Sequence, residues 1–483
     1  MSSNSSGTAL VAAVDLGATS GRVVLAEVGP DRLELRETAR FANGPLRLPS
    51  GLHWNLPSLY AGALGGLRAA GREASGAGGL ASVGIDAWAV DYGLVRGDRL
   101  LGLPFHYRDE HRLAVGPANA HALVGQDELY ARNGLQFLPF NTAYQLAADP
   151  WTELADRLLL IPDLLAWWLT GRMVAERTNA STTGLLDPRS GAWDSELLDR
   201  LGVPSHLLAD LVDPGTTIGS MTDQVAGDTG LPGVPVVAVG SHDTASAVVG
   251  APLQGDDAAY LSLGTWGLVG VELADPVVTD AARAANFTNE GGVDGRTRFL
   301  TNVMGTWILS EALRAWDRED GLAAGGNDLA GLLSAAAEVD PASVPVVDVQ
   351  DPRFLPPGDM GERVAKWCVD HDLPAPTTRP AIIRTILESL ADAYAAALDT
   401  AARLTGRRVG TVHVVGGGSQ NRLLCQAIAN RSGRRVVAGP VEATALGNVL
   451  VQARAVGVVG PDLAELRALV ARTHDLPRYE PRS

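Results

Sequence analysis

The chain has 483 residues, of which 46% are hydrophobic and 19% are charged, and its formal net charge at pH 7 is -16. This length allows two or three domains with full hydrophobic cores, and the negative charge argues against nucleic acid or an anionic membrane as a partner. Lys366 is the only lysine. A Walker-type phosphate loop and a protein-kinase lysine near a turn motif are therefore excluded.

Two isolated cysteines, Cys368 and Cys425, have no Cys-x-x-Cys pair and no histidine cluster beside them. This pattern argues against structural zinc and a disulfide framework, and it fits a reducing cytoplasm. Residues 1–7 lack a basic region and are predicted to be a short disordered tag rather than a signal peptide. Because no uncharged apolar run reaches transmembrane length, we expect a soluble, cytoplasmic protein.

The first predicted feature is a strand, a turn and a second strand, at residues 10–14, 15–22 and 23–28. Small and hydroxyl residues in the turn let backbone N–H groups approach an anion closely. Asp15, at the end of the first strand, is placed to hold Mg²⁺ through water. The alternative is a tight hairpin with a structural aspartate, and this motif alone does not decide between the two.

Further along, residues 56–79 are predicted to be helical, and residues 82–92 to form a strand that carries Asp86, Trp88 and Asp91. On a regular strand Asp86 and Asp91 face opposite sides, so they would not form an acid/base pair. Trp88 is compatible with binding a polar ligand, although a tryptophan in a strand more often belongs to the core.

Two apolar segments and a hydroxyl-rich connection follow in the middle of the chain. Residues 158–170 are predicted to form an apolar helix that Gly171 ends. The stretch at residues 178–184 is expected to hydrogen-bond its own backbone rather than to bind a polyol. Residues 235–239 are predicted to form a buried strand.

Ser241, His242, Asp243 and Thr244 come directly after that strand and a glycine turn. Side chains at the carboxyl end of such a strand face the crevice where α/β proteins bind ligands, so Asp243 is a candidate catalytic residue. The alternative is that Asp243 or Ser241 caps the following helix. A similar glycine hairpin on each side along the chain favours the functional interpretation.

In the second half, Ser262-Leu263-Gly264 repeats Asp15-Leu16-Gly17 weakly, at the point where a second domain should begin. A long helix is predicted at residues 379–404, and a strand at residues 412–415 precedes three glycines. Glycines there permit close contact with a base or ribose, and the following helix start favours negative charge. The repeated glycine turns predict two similar α/β domains.

These motifs resemble those of a known superfamily. The strings at residues 15–17, 262–265 and 415–418 are similar to the two phosphate motifs and the adenosine motif of actin-like ATPases. Within that superfamily, the Gly-x-x-Asp turn ending at Asp243 resembles the catalytic turn of the FGGY carbohydrate kinases. Finer strings, such as Gln136-Phe137-Leu138-Pro139-Phe140-Asn141-Thr142, are similar to the family members that act on L-rhamnulose.

The resemblance implies an α/β fold of two actin-like (ribonuclease H-like) domains that face a central cleft. The N-terminal domain, residues 1–251, would hold the sugar and a phosphate motif, and the C-terminal domain, residues 252–483, would bind the nucleotide. The implied activity is phosphorylation of L-rhamnulose at its 1-hydroxyl, with ATP and Mg²⁺, in L-rhamnose catabolism. The alternatives are another FGGY kinase, for L-fuculose, xylulose or glycerol, or an actin-like assembly ATPase.

The resemblance also assigns individual residues. Asp243 would be the catalytic base and Asp15 the magnesium residue. The nucleotide contacts would be Ala18, Thr19, Ser20, Gly21, Arg22, Thr265, Ser310 and Gly417. The sugar contacts would be Ala89, His242, Asp243, Thr244 and Asn302. Three positions depart from the family pattern, since Ala89 replaces a usual glycine, Ser310 a usual glutamine and Thr301 a usual lysine. Arg22 is expected to bind phosphate in place of a lysine.

Overall fold

The computed structural model describes residues 7–482, so nearly all of the predicted tag at residues 1–7 lies outside the described residues. The chain divides into two compact units. The first contains the residues up to 252 together with 272–299 and 442–474, and the second contains residues 253–271, 300–441 and those from 475 onward. The units therefore differ from two contiguous domains, because two segments of the second half pack with the first.

The strands and helices follow in chain order. The strands are β1 (Ala9–Leu16), β2 (Ser20–Gly29), β3 (Arg32–Ala42), β4 (Pro45–Leu48), β5 (Gly51–Trp54), β6 (Ser82–Ala87), β7 (Tyr92–Arg96), β8 (Arg99–Leu100), β9 (Arg157–Leu160), β10 (Ala175–Glu176), β11 (Leu186–Asp187), β12 (Ala192–Trp193), β13 (Leu211–Val212), β14 (Thr217–Ser220), β15 (Pro235–Val237), β16 (Ala258–Leu263), β17 (Trp266–Leu273), β18 (Thr288–Gly291), β19 (Thr297–Met304), β20 (Thr411–Val415), β21 (Arg435–Ala438) and β22 (Arg478–Tyr479). The helices are α1 (Leu56–Ala74), α2 (Glu110–Leu123), α3 (Gln126–Asn133), α4 (Thr142–Ala147), α5 (Ile161–Thr170), α6 (Arg177–Ala180), α7 (Ser195–Leu201), α8 (Asp223–Thr229), α9 (Asp243–Gly250), α10 (Asp280–Ala284), α11 (Trp307–Glu319), α12 (Leu329–Ala337), α13 (Met360–Asp370), α14 (Arg379–Thr405), α15 (Arg422–Ser432), α16 (Ala443–Ala455) and α17 (Leu463–Thr473).

The main sheet of the first unit has the strand order β14-β15-β6-β1-β2-β3. β1 pairs antiparallel with β2 and parallel with β6, and β15 continues the parallel part. Alternate residues of β1 pack on opposite faces: Ala12 and Val14 with the apolar side of α1, Val11 and Ala13 with α16 and α17. Because both faces are covered, β1 is apolar along most of its length.

Helices α9 and α16 pack unusually closely in the first unit. A Cβ on Gly447 would clash with the carbonyl of Ser246, and a Cβ on Gly250 would clash with Ala443. The absence of side chains at Gly447 and Gly250 lets the two backbones touch. This contact fixes the middle and the end of α9 against the first half of α16.

The second unit is built on strands in the order β19-β17-β16-β20-β21-β22. β16 and β17 form an antiparallel hairpin, while β20 pairs parallel with β16, in a register that places Ser262 beside Val415. The predicted long helix is confirmed as α14, and the predicted strand at residues 412–415 is confirmed as part of β20. Within residues 7–482, no helix combines the length and apolar character needed to cross a bilayer.

Several predicted elements need correction. The strand predicted at residues 82–92 is wrong, because β6 ends at Ala87 and β7 begins at Tyr92, with a turn between them. The helix predicted at residues 158–170 is wrong at its start, where β9 pairs with β7 before α5 begins. The strand predicted at residues 235–239 ends at Val237. Gly171 ends α5 in the left-handed conformation, as predicted.

Candidate active site

Three carboxylates lie at one edge of the first unit's sheet. Asp15 of β1 is in register with Asp86 of β6, so the two side chains are neighbours on the same face. A parallel bridge between Ala87 and His242 places the start of α9, and with it Asp243, beside the end of β6. The carboxyl ends of the three parallel strands therefore bring together residues that are far apart in the sequence.

Asp243 does not cap the helix that it begins. The N-cap of α9 is His242, which makes no side-chain cap hydrogen bond, so the capping interpretation is wrong for Asp243. Its Oδ1 instead accepts a 3.0 Å hydrogen bond from Thr244 Oγ1. The Asp243 side chain is 31% exposed, whereas His242 and Thr244 are buried. A reacting hydroxyl can thus reach the carboxylate.

The pKa of Asp243 is raised to about 7, chiefly because burial disfavours the charged form and secondly because the Asp15 carboxylate is near. The remaining exposure of the side chain shows that one side of this carboxylate still meets solvent. A carboxylate that titrates near neutrality can accept a proton in the transition state more effectively than one with an ordinary pKa. Asp243 therefore has the properties of a general base.

Glu176 holds the turn that precedes Asp243. Its Oε2 accepts hydrogen bonds from the backbone N–H (2.9 Å) and the hydroxyl (2.7 Å) of Ser241, so Ser241 is not a helix cap. Glu176 also accepts from the backbone N–H of Thr178 at Oε1 and from the Thr178 hydroxyl at Oε2. Sequence reasoning missed Glu176. The hydroxyl-rich stretch after it bonds its own backbone, as predicted, through Ser181 and Thr183 among others.

Asp86 is fully buried beneath the exposed edge. Its Oδ2 accepts a 2.5 Å hydrogen bond from Asn448 of α16, and its Oδ1 has no hydrogen-bond partner among the described residues. Burial, and then the nearby Asp15 and Asp243 carboxylates, raise the pKa of Asp86 well above its ordinary value. Three acidic groups are therefore crowded where β1 and β6 end, and this crowding favours the protonated form of Asp86.

Arg22 compensates part of this charge. On β2, opposite Asp15, it donates to Asp15 Oδ2 from Nε (2.9 Å) and Nη2 (2.6 Å), and its Nη1 pairs with Glu442. Burial opposes the charged guanidinium, but the two carboxylates outweigh it and raise the pKa of Arg22. To bind a phosphate, Arg22 would have to exchange one of these carboxylates for it.

The donor set at this edge fits Mg²⁺ held mainly by water and substrate oxygens. Three acidic side chains repel one another here, and a buried Asp86 oxygen lacks a partner. Within residues 7–482, however, no three His, Cys, Asp or Glu side chains are close enough to bind a metal directly. Mg²⁺ typically uses one or two carboxylates and retains several waters or phosphate oxygens, which matches this arrangement.

The turn after β6 has a strained residue at its centre. Val90 has φ of 67°, and the N–H of Asp91 donates to the carbonyl of Ala89 at 2.9 Å, the pattern of a γ-turn with a left-handed central residue. The carbonyl of Val90 accepts from Thr142 Oγ1 at 2.7 Å. A β-branched residue in this conformation is rare and marks functional turns more often than ordinary ones.

Asp91 anchors the same turn from below. Its Oδ2 accepts from the indole N–H groups of Trp54 (2.5 Å) and Trp88 (3.0 Å), and its Oδ1 accepts from Gln145. Burial raises the pKa of Asp91 to about 6 despite these donors. The polar end of Trp88 is thus used within the protein, and the interpretation of Trp88 as a core residue is confirmed. Ala89, at the top of the turn, is half-buried.

The remaining predicted phosphate residues of the first unit lie in or beside the β1–β2 turn. The N–H of Gly17 donates to the carbonyl of Ser20, and Asn43 Nδ2 donates to the carbonyl of Gly17, which closes and supports the turn. A side chain at Gly21 would clash with Phe41. Ala18 and Thr19 form the tip, where Thr19 is exposed. The predicted hairpin is confirmed.

The predicted nucleotide residues of the second unit also meet at one sheet edge. Thr265 lies in the exposed β16–β17 turn, and the N–H and hydroxyl of Thr306 both donate to the carbonyl of Gly264, each at 2.9 Å. This pair of bonds attaches the start of α11, which carries Ser310, to the turn. Gly417 follows the adjacent β20, and a Cβ there would meet open space.

Asn302 lies on β19 of the second unit and is half-buried, with its carbonyl accepting from Gln350. The predicted site residues are therefore distributed between two sheet edges. In the first unit are Asp15, Ala18, Thr19, Ser20, Gly21, Arg22, Ala89, His242, Asp243 and Thr244, and in the second are Thr265, Asn302, Ser310 and Gly417.

Two family models match the chain. The N-terminal domain of the FGGY family of carbohydrate kinases matches residues 117–250, and the C-terminal domain of that family matches residues 259–456. A rhamnulokinase of Pectobacterium atrosepticum is 42% identical, over 98% of this chain and 93% of its own. A rhamnulokinase of Bacteroides thetaiotaomicron is 39% identical, over 97% of this chain and 95% of its own.

Solved structures share the fold. A ligand-bound xylulose kinase from Lactobacillus acidophilus has a TM-score of 0.77 at 16% identity, over 98% of this chain and 94% of its own. Plasmodium falciparum glycerol kinase with ADP has a TM-score of 0.77 at 14% identity, with the same coverage. These similarities confirm the predicted α/β fold with two actin-like domains.

Proposed function

Since the chain belongs to the FGGY family of carbohydrate kinases, we propose that it phosphorylates L-rhamnulose at the 1-hydroxyl, giving L-rhamnulose 1-phosphate and ADP. The chain is a sugar kinase, and its substrates are a sugar and ATP. The observation that carries the proposal is the open Asp243 carboxylate, whose pKa is raised to about 7 at the shared edge of three parallel strands.

In the proposed reaction, Asp243 accepts the proton of the 1-hydroxyl as its oxygen attacks the γ-phosphorus of ATP. The bond from the γ-phosphorus to the bridging oxygen breaks, and ADP leaves with that electron pair. Thr244 orients the base, because its hydroxyl occupies Oδ1 of Asp243 and leaves Oδ2 for the incoming proton. Because its pKa is near 7, a large share of Asp243 is unprotonated at neutral pH, and the carboxylate is also basic enough to accept the proton.

Magnesium would be held near Asp15 through water, with the phosphate oxygens of ATP supplying further ligands. When bound, the ion supplies charge stabilisation for the transferred phosphoryl group. Arg22 keeps the Asp15 carboxylate fixed through its two donors, so this side chain would present the same oxygen to the hydrated ion in each turnover.

The choice of L-rhamnulose is supported by relatives named rhamnulokinase that align over nearly the whole chain. His242 and Thr244 would contact the ketose beside Asp243, and the methyl group of Ala89 would narrow the wall of the sugar site. A second candidate substrate is L-fuculose or xylulose, since Ala89 departs from the family's usual glycine at this wall.

The proposal is tested by an ATP-coupled screen with Mg²⁺ over L-rhamnulose, L-fuculose, D-xylulose and glycerol. L-Rhamnulose should give the highest kcat/KM, and nuclear magnetic resonance of the product should place phosphate on carbon 1. A higher kcat/KM for another acceptor would refute the substrate assignment while the kinase assignment stands. ATP turnover that does not need any sugar would instead indicate an assembly ATPase, and Asp243→Asn controls for contaminating kinases.

A further inference from the structure

A buried arginine contacts the histidine next to the catalytic base. Arg298 of β19 belongs to the first unit and is fully buried. Its Nη2 donates to His242 Nδ1 at 2.9 Å, and its Nε donates to the carbonyl of Gly291 at 2.9 Å. Glu290 neutralises the charge, with an oxygen 3.1 Å from Nη2.

This contact determines which ring nitrogen of His242 carries the proton. A guanidinium has only donors, so Nδ1 must offer its lone pair to Arg298. The proton of the neutral ring then resides on Nε2, which lies 3.4 Å from Asp243 Oδ1. The competing tautomer would place a proton on Nδ1 and direct it to Glu290, which is 3.4 Å away and so farther than Arg298.

The same surroundings keep the ring neutral. Three charged groups face it: Arg298 and Glu290 at Nδ1, and Asp243 at Nε2. Burial, and secondly the positive charge of Arg298, lower the pKa of His242 well below its ordinary value. A neutral ring matters because an imidazolium beside Asp243 would stabilise the carboxylate and weaken it as a base.

Burial of the Arg298 side chain lowers the stability of the folded protein. Its Nη1 has no hydrogen-bond partner among the described residues, and a buried, incompletely bonded guanidinium costs stability. Clamping Gly291 alone would not need a charged group, because a neutral donor can bond a carbonyl. At His242 Nδ1 the guanidinium is a group that donates and cannot accept, so only one tautomer of the ring fits this contact.

We propose that Arg298 is a positioning residue that locks His242 as a neutral Nε2–H donor toward Asp243 and the reacting sugar oxygen. The inference deepens the proposed function, since it assigns how the base and the acceptor oxygen are oriented at the same site. It predicts that His242 recognises an oxygen with a free lone pair and cannot act as a proton acceptor at Nε2.

The direct test is nitrogen-15 resonance of histidine-labelled protein without substrate, with His242→Asn used for assignment. In the parent protein His242 should show a protonated Nε2 and an unprotonated Nδ1, unchanged from pH 8 to pH 5.5. A protonated Nδ1, or titration with an ordinary histidine pKa, overturns the proposal. Because no sugar is present, this result does not depend on whether the substrate assignment is right.

Two variants separate positioning from folding. Arg298→Lys keeps a charge but loses the planar fork, and the double variant Arg298→Met with Glu290→Leu removes both charges, so no unpaired charge stays buried. In the double variant His242 should no longer be held in the Nε2–H tautomer, its pKa should rise only part of the way because burial, the larger cause of the lowering, remains, and kcat/KM for the sugar should fall about 10- to 100-fold. If the folded double variant keeps the parental tautomer and parental kcat/KM, Arg298 has only a structural role.

Discussion

The two units have sheets with the same strand order but carry different side chains at equivalent positions. In each, an antiparallel hairpin is followed by parallel strands in the same order, β3-β2-β1-β6-β15 in the first and β19-β17-β16-β20-β21 in the second. In the hairpin the position of Asp15 is taken by Ser262, and that of Arg22 by Leu268.

The neighbouring strands extend this contrast. In the second unit Val415 takes the position of Asp86. The segment after β15 of the first unit carries His242 and Asp243, whereas the segment after the equivalent strand, β21, carries Gly439 and Pro440. The first edge is thus charged and titratable, whereas the second offers hydroxyls and exposed backbone. In the proposed function the first edge would transfer the proton and the second would bind the nucleotide, so side chains at equivalent positions of one fold would have different roles.

The largest effect should come from the residue that most distinguishes the two edges. Asp243→Asn should lower kcat about 10²- to 10⁴-fold, because an amide cannot accept the proton. The fold should be unchanged, since Asp243 does not cap α9. Steady-state kinetics with a thermal-unfolding control measure both. Activity within about tenfold of the parent would show that Asp243 is not the base.

Arg22→Ala should be the next most damaging change. It removes the partner of Asp15 and the phosphate contact expected from the sequence, so kcat/KM for ATP should fall roughly ten- to a hundredfold, or about 1.5–3 kcal/mol. KM for the sugar should change little, and Arg22→Lys should recover only part of the loss. Leu268→Ala is the matched control in the second unit. Equal kinetics for parent and Arg22→Ala across ATP concentrations would refute the phosphate role.

The charged edge should also impose a pH dependence. Asp243 must be unprotonated to act, and its pKa is raised to about 7, so kcat/KM for the sugar should be constant above that pH and fall about tenfold per unit below it. Asp15→Asn should shift the acid limb of the residual activity to lower pH, because it removes a negative charge that raises the pKa of Asp243. An acid limb that stays at the same pH in Asp15→Asn would show that Asp15 does not influence the base.

The smallest effect is expected at the uncharged counterpart of Asp15. Ser262→Ala should change kcat/KM for either substrate by less than about threefold, because a hydroxyl there carries no charge to lose. Asp15→Ala, measured in parallel, is the comparison. If Ser262→Ala were as harmful as Asp15→Ala, the division of chemistry between the two edges would be wrong.

Part of the candidate site could be predicted from local patterns in the sequence. The hairpin around residues 15–22 and the placement of Asp243 after a buried strand follow from apolar runs interrupted by small and polar residues. The turn at Val90 could not be predicted, because its strained conformation is held by Thr142 and Gln145, more than fifty residues away. A valine favours a strand on its own, and here tertiary contacts override that preference.

Other site residues were not predicted from the sequence because their contact partners are far away along the chain. Asp86 looks like an ordinary strand residue until Asn448, 362 positions later, is placed against it. Glu176 and Arg298 acquire their roles only when the chain brings them to Ser241 and His242. In the sequence each stands beside other charged residues, Glu176 next to Arg177 and Arg298 near Arg296, so neither is distinguished from an ordinary surface charge.

The return of residues 442–474 to the first unit has a consequence for the order of synthesis. The ribosome finishes residue 252 and must add about 190 more, roughly 10–40 s at bacterial and eukaryotic elongation rates, before α16 is available. During that interval Val11 and Ala13 lack the cover that α16 and α17 supply, and Gln452 has not yet reached Ser82. The nascent N-terminal half therefore emerges with this sheet face only partly covered, by residues such as Val239 and Val249, until α16 and α17 are made.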